Sequence, residues 1–300
     1  MFYKSSPRTN PTPSNGRWLM ADLHVHSTFS GGALAPAELS QNAQMQLLDA
    51  IAISDHNEIA GAFEAQKIAG PNDFEIIVSQ EISLGDHFHL LILGAQEAWT
   101  GSRNKLVEKI HQSHEAGAAI ILAHPWTLPK SSWASDCLQD LLAGKLIDGA
   151  ELFNASILEA EEKGAEILTS VWEDLIIPYH LAVIGGSDFH YYKQGRWLGA
   201  GRTYLKVSSR GGLGILEAIR KRRSVAGLFS YRPFDLGIFG VGTRTLRGRD
   251  PWYTELRELI TSLNQQISCF EQINPARYLV LKRLMAAGYY QLVRDLLTGG

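Results

Sequence analysis

The segment DLHVHSTFSGG, residues 22–32, sets His24 and His26 one residue apart behind Asp22. In a β-strand, residues i and i+2 share a face with Cα atoms roughly 6.5–7 Å apart. Two imidazoles so placed can close on one ion at the roughly 2.0–2.1 Å of a zinc–nitrogen bond. On this reading Leu23 and Val25 face the core. Groups of the same kind recur downstream: Asp55 and His56 in SDHN, Glu81 after IIVSQ, His89 before LLILG, His124 in AHP, and Asp188 with His190 in GSDFH. Imidazole and carboxylate without thiolate suit Zn²⁺, Mn²⁺ or Fe²⁺ and argue against copper(I) or an iron–sulfur cluster. Two or more such cations close together can acidify a bridging water and clamp both oxygens of an in-line displacement. The expected chemistry is metal-assisted hydrolysis with a metal-bound hydroxide as nucleophile.

These residues need a frame that gathers them. Short apolar runs alternate with amphipathic stretches of helix length, the pattern of repeated βα units. Strands are expected near residues 18–26, 50–54, 75–79, 88–93, 118–123, 149–153, 182–186 and 203–207, and helices near 35–47, 58–69, 104–116, 156–171 and 214–223. The acidic residues and histidines fall mostly at strand ends, as in a (β/α) barrel, whose functional groups collect at the C-terminal mouth. His111 and His114 lie on a helix outside that mouth, and His180 precedes the strand at 182–186, so all three are read as structural.

The rest of the composition narrows the partners. The chain has 300 residues, 45% hydrophobic and 20% charged, enough for one large α/β barrel. A formal net charge of −3 gives no overall basic footprint for nucleic acid or an anionic membrane. Two distant cysteines, Cys137 and Cys269, form neither a disulfide framework nor a cysteine metal site. The opening segment is polar and proline-rich, and no stretch reaches the ~18 apolar residues of a membrane span. A cytoplasmic location is expected.

DLHVHS, SDHN, Glu81, the histidine of HLLILG, AHP and GSDFH, in this order, resemble the successive motifs of the PHP superfamily, named for polymerase and histidinol phosphatase. The resemblance covers about residues 19–225. It implies an α/β fold, a distorted (β/α)7 TIM-like barrel with two or three divalent ions at its C-terminal mouth, and hydrolysis of phosphate esters. It also implies that His24, His26 and Asp188 hold one ion with Glu81 bridging, His56 and His190 a second, and Glu81, His89 and His124 a third. His56, Asp188 and His190 are then expected to serve catalysis as well. His87, beside His89 on the same strand face, is a weaker candidate. Asp22 and Asp55 are expected to orient imidazoles through the ring nitrogen turned away from the ion. Many hydrolytic relatives carry an acidic residue where this chain has Gly31, which leaves the second ion short of a carboxylate.

A phosphate ester also needs cations around its oxygens. The loop HYYKQGRWLGAGRT offers Lys193, Arg196 and Arg202, and Arg196 and Arg202 are taken as the bidentate phosphate grip. The expected organisation is a flexible tail over 1–17, the barrel over 18–225 and a helical extension over 226–300. The substrate reads as a small-molecule or nucleotide phosphate ester. Two other readings keep the same cluster: a non-catalytic or regulatory metal-binding module, and a hydrolase of carboxyl esters or amides.

Overall fold

The computed structural model describes residues 16–69, 74–85, 87–100, 103–128, 133–157, 164–192, 197–229, 238–239, 251–286 and 290–298. Most of the expected N-terminal tail, residues 1–15, lies outside them. Ten strands form one sheet: β1 (Arg17–Val25), β2 (Ala50–Ile53), β3 (Glu75–Ser83), β4 (His89–Leu93), β5 (Ala119–Leu122), β6 (Gly149–Asn154), β7 (Ala182–Gly186), β8 (Gly201–Val207), β9 (Ser224–Phe229) and β10 (Ile238–Phe239). Their order is β10-β9-β8-β1-β2-β3-β4-β5-β6-β7. Six of β1–β7 run in one direction and β4 runs against them. β8 lies antiparallel beside β1, with β9 beyond it. The sheet curls into a nearly closed TIM-like barrel.

AIAI and AIIL are buried along their whole length, as strands with a packed core on both faces must be. Leu19, Ala21, Leu23, Ala52, Ile77 and Ile121 belong to an inner cluster, while Met20, Val25, Ile51 and Ile53 belong to the larger outer one. Helices α1 (Pro36–Met45), α2 (Ala60–Ala69), α3 (Leu106–Glu115), α4 (Trp133–Ala143), α5 (Gly164–Ser170) and α6 (Ile177–Tyr179) fall between the strands. α7 (Gly212–Arg220) sends Ile215, Leu216 and Ile219 into the inner cluster and stoppers the end of the barrel remote from the histidines. α8 (Pro251–Ser268), α9 (Phe270–Ile273), α10 (Pro275–Ala286) and α11 (Tyr290–Thr298) follow. α11 is tied to β1 by Arg17–Asp295 at 3.1 Å.

The expected boundary at residue 225 falls inside β9, whose Val225 and Ala226 pair with Tyr204 and Thr203 of β8. Among the described residues two strands, β9 and β10, follow residue 223 before the next helix, which spans Pro251–Ser268. α4, with the sequence WASDCLQDLLA, is a further element beyond those the sequence pattern predicts.

The barrel closes where β7 meets β1 and β8. The Asp188 N–H donates to the His24 carbonyl and the His26 N–H to the Phe189 carbonyl, both at 2.9 Å. A Cβ added at Gly201 would stand 1.8 Å from the Gly186 carbonyl oxygen, and one at Gly185 would stand 2.2 Å from that of Arg202. Only hydrogen fits between these backbones. Thr203 Oγ1 crosses the same gap, accepting from the Gly185 N–H at 2.9 Å and donating to its carbonyl at 2.8 Å.

A bulge in β1 aims the first histidines. Asp22 pairs with Ile51 and Val25 with Ile53, so three steps along β1 match two along β2. The extra residue reverses the alternation of faces. Leu23 is an inner residue and Val25 an outer one, so they do not share the face that simple alternation predicts. After the bulge, His24 and His26 are fully buried and turned inward.

Candidate metal centre

The mouth is built around Glu81, which is 1% exposed at the end of β3. Its Oε2 faces His24 Nε2 at 3.3 Å, His26 Nε2 at 3.2 Å and His56 Nδ1 at 3.2 Å. Its Oε1 faces His89 Nδ1 at 2.8 Å and His124 Nε2 at 3.0 Å. Asp188 Oδ1 lies 3.4 Å from the Nε2 atoms of His24 and His26 and from Nδ1 of His190. Among the described residues, three sets of potential ligand atoms each converge within 4.8 Å: His24, His26, Glu81 and Asp188; Glu81, His89 and His124; and His26, His56 and His190. All eight histidines and carboxylates expected from the sequence come together. His87 is exposed and belongs to none of these sets. His114 pairs with Asp148 at 2.9 Å, away from the mouth.

Neighbouring acceptors fix the ring tautomers. His24 Nδ1 donates to Glu151 Oε1 at 2.9 Å, His26 Nδ1 to Ser30 Oγ at 3.3 Å and His124 Nδ1 to Thr127 Oγ1 at 3.1 Å. Each then turns an Nε2 lone pair toward the centre. The Nε2 atoms of His24 and His26 stand 3.1 Å apart, and two facing lone pairs repel unless a proton or a metal cation lies between them. Ligands about 2.0–2.1 Å from a tetrahedral ion sit roughly 3.3–3.4 Å from one another, which is close to the spacing found here. The donor set fits divalent metal.

Electrostatics agree. Burial alone would lower the His24 pKa, but the carboxylates of Glu151, Glu81 and Asp188 outweigh it and hold the ring well above its ordinary value. Burial opposes ionisation of Glu81 and Asp188, yet the surrounding imidazoles hold both carboxyls well below theirs. His56, nearer solvent, is pushed down to about 4, mainly by burial. It is a neutral ring at physiological pH. The side chains of His56, His190 and His89 are 32%, 27% and 22% exposed, against 0% for His24 and His26, so the first three form the open rim.

Several sequence expectations change in the structure. Asp22 does not touch an imidazole: it accepts backbone N–H groups of His24 at 3.4 Å, Ser187 at 2.9 Å and Gly199 at 2.7 Å, locking the seam. Burial raises its pKa to about 6. Asp55 acts one bond further out, accepting from Ser27 Oγ at 2.6 Å and from Ser30 Oγ at 2.8 Å, and Ser30 in turn meets His26. Arg202 is 2% exposed inside β8 and donates to the Gly199 carbonyl at 2.5 Å and to Met20 Sδ at 3.4 Å. It lies on the outer side of the wall, because strand register rather than loop position sets its direction. Arg196 and Lys193 lie outside the described residues.

Glu151 escaped the sequence reading. It is the lone acid of the buried strand GAELFN, inside the strand rather than after it, so the strand-end pattern passes over it. Its Oε2 also accepts from the His124 N–H at 2.7 Å and from Asn154 Nδ2 at 3.1 Å. Glu151→Gln keeps the shape but removes the anionic acceptor of His24. Metal titration is expected to show a fall in affinity of roughly 10–100-fold with far-ultraviolet circular dichroism unchanged. Unaltered affinity would mean that His24 needs no such partner.

Gly31 has φ +89°, and a Cβ there would meet nothing nearer than His190 Cδ2 at 3.9 Å. Asp55 joins none of the converging ligand sets, and its oxygens accept from Ser27 and Ser30. Gly31→Asp is expected to raise metal retention at His56 and His190 after dialysis, at a backbone cost of about 1 kcal/mol. Unchanged metal content by elemental analysis would remove Gly31 as the cause of any weak second site.

A family model described as PHP domain matches residues 22–183, more than half of the chain. A 62-residue stretch is 45% identical to a 5'-3' exoribonuclease of Haemophilus influenzae, covering 21% of this chain and 23% of that protein. An uncharacterized protein of Methanocaldococcus jannaschii is 28% identical over 149 residues, 46% of this chain and 82% of its own length. In three dimensions the chain is similar to a two-domain protein of Bacteroides vulgatus described as containing a predicted PHP-like metal-dependent phosphoesterase. The TM-score is 0.57 and the identity 20%, over 72% of this chain and 66% of that one.

Proposed function

The chain belongs to the PHP domain family, and from that premise we propose that it is a metal-dependent hydrolase of phosphate esters, with the cluster around Glu81 as its metal centre. The observation that carries this reading is the division of labour within one carboxylate: each Glu81 oxygen faces a separate group of imidazoles. A bridging carboxylate of this kind belongs to sites that hold more than one cation. Two or three divalent ions, of zinc, manganese or iron, would supply Lewis acidity and charge neutralisation for displacement at phosphorus. His24, His26, Asp188 and Glu81 would hold one, Glu81, His89 and His124 another, and His56 with His190 a third.

The protein's own groups then divide the work. Glu151, Ser30 and Thr127 hold protons on Nδ1 of His24, His26 and His124, so these rings keep their lone pairs inward. His56, neutral at physiological pH and on the rim with His190, stands where a substrate would arrive. Phe29 and Tyr191, 45% and 55% exposed on the segments that follow His26 and His190, offer a nucleobase a stacking surface. With the stretch similar to an exoribonuclease, they favour a nucleotide among phosphate esters. The test is purified protein with its metals quantified, assayed against phosphomonoesters, phosphodiesters, nucleotides and carboxyl esters. Turnover confined to carboxyl esters would overturn the reading, and metal binding without turnover of any class would favour a regulatory module.

With Arg202 inside the wall, we propose Arg196, the other arginine of that sequence segment, as the phosphate grip. Arg196→Ala is expected to weaken phosphate substrates by about 10-fold or more in kcat/KM, from loss of a charge-assisted bidentate contact. Arg202→Ala should instead lower the melting temperature and impair all substrates alike. A phosphate-selective loss from Arg202→Ala would reverse the two assignments.

A further inference from the structure

A cavity of about 360 Å³ lies between the N-terminal half of β1 and helix α11, remote from the histidines. Trp18, Leu48, Asp49, Phe74, Tyr204 and Tyr290 line it. Trp18 and His24 are six residues apart on one strand, about 20 Å at ~3.3 Å per residue, so this cavity does not belong to the metal centre. Its size is that of a small-molecule site, and it sits at the kind of junction between structural units where such sites concentrate.

The charges along its wall select the ligand. Arg17, the cation that lines it among the described residues, is already paired with Asp295 at 3.1 Å. Asp295 is satisfied in turn, since its other oxygen accepts from Gln291 Nε2 at 2.7 Å. Asp49 differs. Its Oδ2 accepts the Met20 N–H at 2.8 Å, and among the described residues its Oδ1 has no hydrogen-bond partner. A half-buried carboxylate with a free oxygen, facing aromatic walls, is the counterpart of a cation attached to an apolar body. Burial raises the Asp49 carboxyl above its ordinary value, outweighing the opposing fields of Arg17 and Arg210.

We propose that this cavity binds a small organic ammonium ion carrying an aromatic or branched apolar group, with Asp49 receiving the ammonium and Trp18, Phe74 and Tyr290 enclosing the apolar part. A neutral ligand of the same shape forgoes the charge-assisted bond, and an anionic one meets Asp49 with like charge.

The test is calorimetric titration of the full-length protein with phenethylamine, 2-phenylethanol and 3-phenylpropionate, three probes of similar shape and different charge. The amine is expected to bind at least about tenfold more tightly than the alcohol, with no binding of the carboxylate. Asp49→Asn keeps an acceptor for the Met20 N–H, so it should fold while abolishing that preference. The bromine of 4-bromophenethylamine soaked into crystals should appear beside Trp18 and Tyr290. Equal binding of amine and alcohol by the wild-type protein, no binding of the amine, or bromine located elsewhere would each overturn the proposal. So would an amine preference that survives in the Asp49→Asn protein.

Discussion

Glu81→Gln is expected to lower kcat/KM by about a thousandfold or more and to leave a folded protein that holds fewer metal ions. A carboxylate offers an acceptor on each side, and Glu81 uses both, toward His24, His26 and His56 and toward His89 and His124. An amide offers one acceptor and one donor. Whichever way it turns, an N–H points at imidazole lone pairs on one side, and the ion there loses an anionic ligand. A thousandfold loss is about 4 kcal/mol of transition-state stabilisation, within what metal ions contribute to a developing charge. Elemental analysis should find at least one ion fewer per chain than in the wild type. Full metal content with turnover within tenfold of wild type would show that Glu81 does not bridge.

The largest expected effect on stability comes from a methyl group. Gly201→Ala puts a carbon where the Gly186 carbonyl oxygen already stands, at a separation of 1.8 Å. Neither atom belongs to a flexible side chain, so β7 and β8 must part. Overpacking of this kind costs about 3 kcal/mol or more, which for a chain of this size lowers the melting temperature by roughly 6–12 °C. Gly164→Ala is the control, because its added methyl meets nothing nearer than 3.6 Å. The two variants melting together would mean that the seam yields more readily than its backbone spacing implies. Excess divalent metal should recover part of the loss in Gly201→Ala, because ligands on both sides of the seam, His24 and Asp188, would bind one ion.

The parts of this molecule that can be read from sequence are those set by local pattern. The AIAI and AIIL runs are apolar, β-branched and short, and they are strands; the histidines and acids that follow such runs gather at one mouth. What escapes is set by register between distant segments. Arg202 reads as a loop cation until β8 pairs with β1 and β9 and turns it to the outer wall. Asp22 reads as a partner for imidazole, but the seam brings it the backbone N–H groups of Ser187 and Gly199 instead. Glu151 lies within its strand rather than after it, so the strand-end pattern misses it, although a lone acid in a buried strand must have a partner. The left-handed backbone of His124 and Asp188, with φ of 26° and 51°, leaves no mark in the sequence, since neither is glycine. Such strain concentrates where side-chain aim matters more than backbone comfort.

The bulge in β1 makes the length of that strand as informative as its composition. Its upstream residues follow one parity and its downstream residues the other, so the chain carries a single out-of-phase step between Asp22 and Val25. Remove one residue there and the strand can still pair, still hydrogen-bond and still bury apolar groups, but His24 and His26 would exchange places with their neighbours and face the helices. Substitutions in this stretch can be graded by chemistry, whereas insertions and deletions cannot, because each converts inside to outside for every residue beyond it. The spacing of the DLHVH segment is thus a quantity to preserve when relatives of this chain are aligned or redesigned: a gap placed within it does not shorten a loop but inverts a wall.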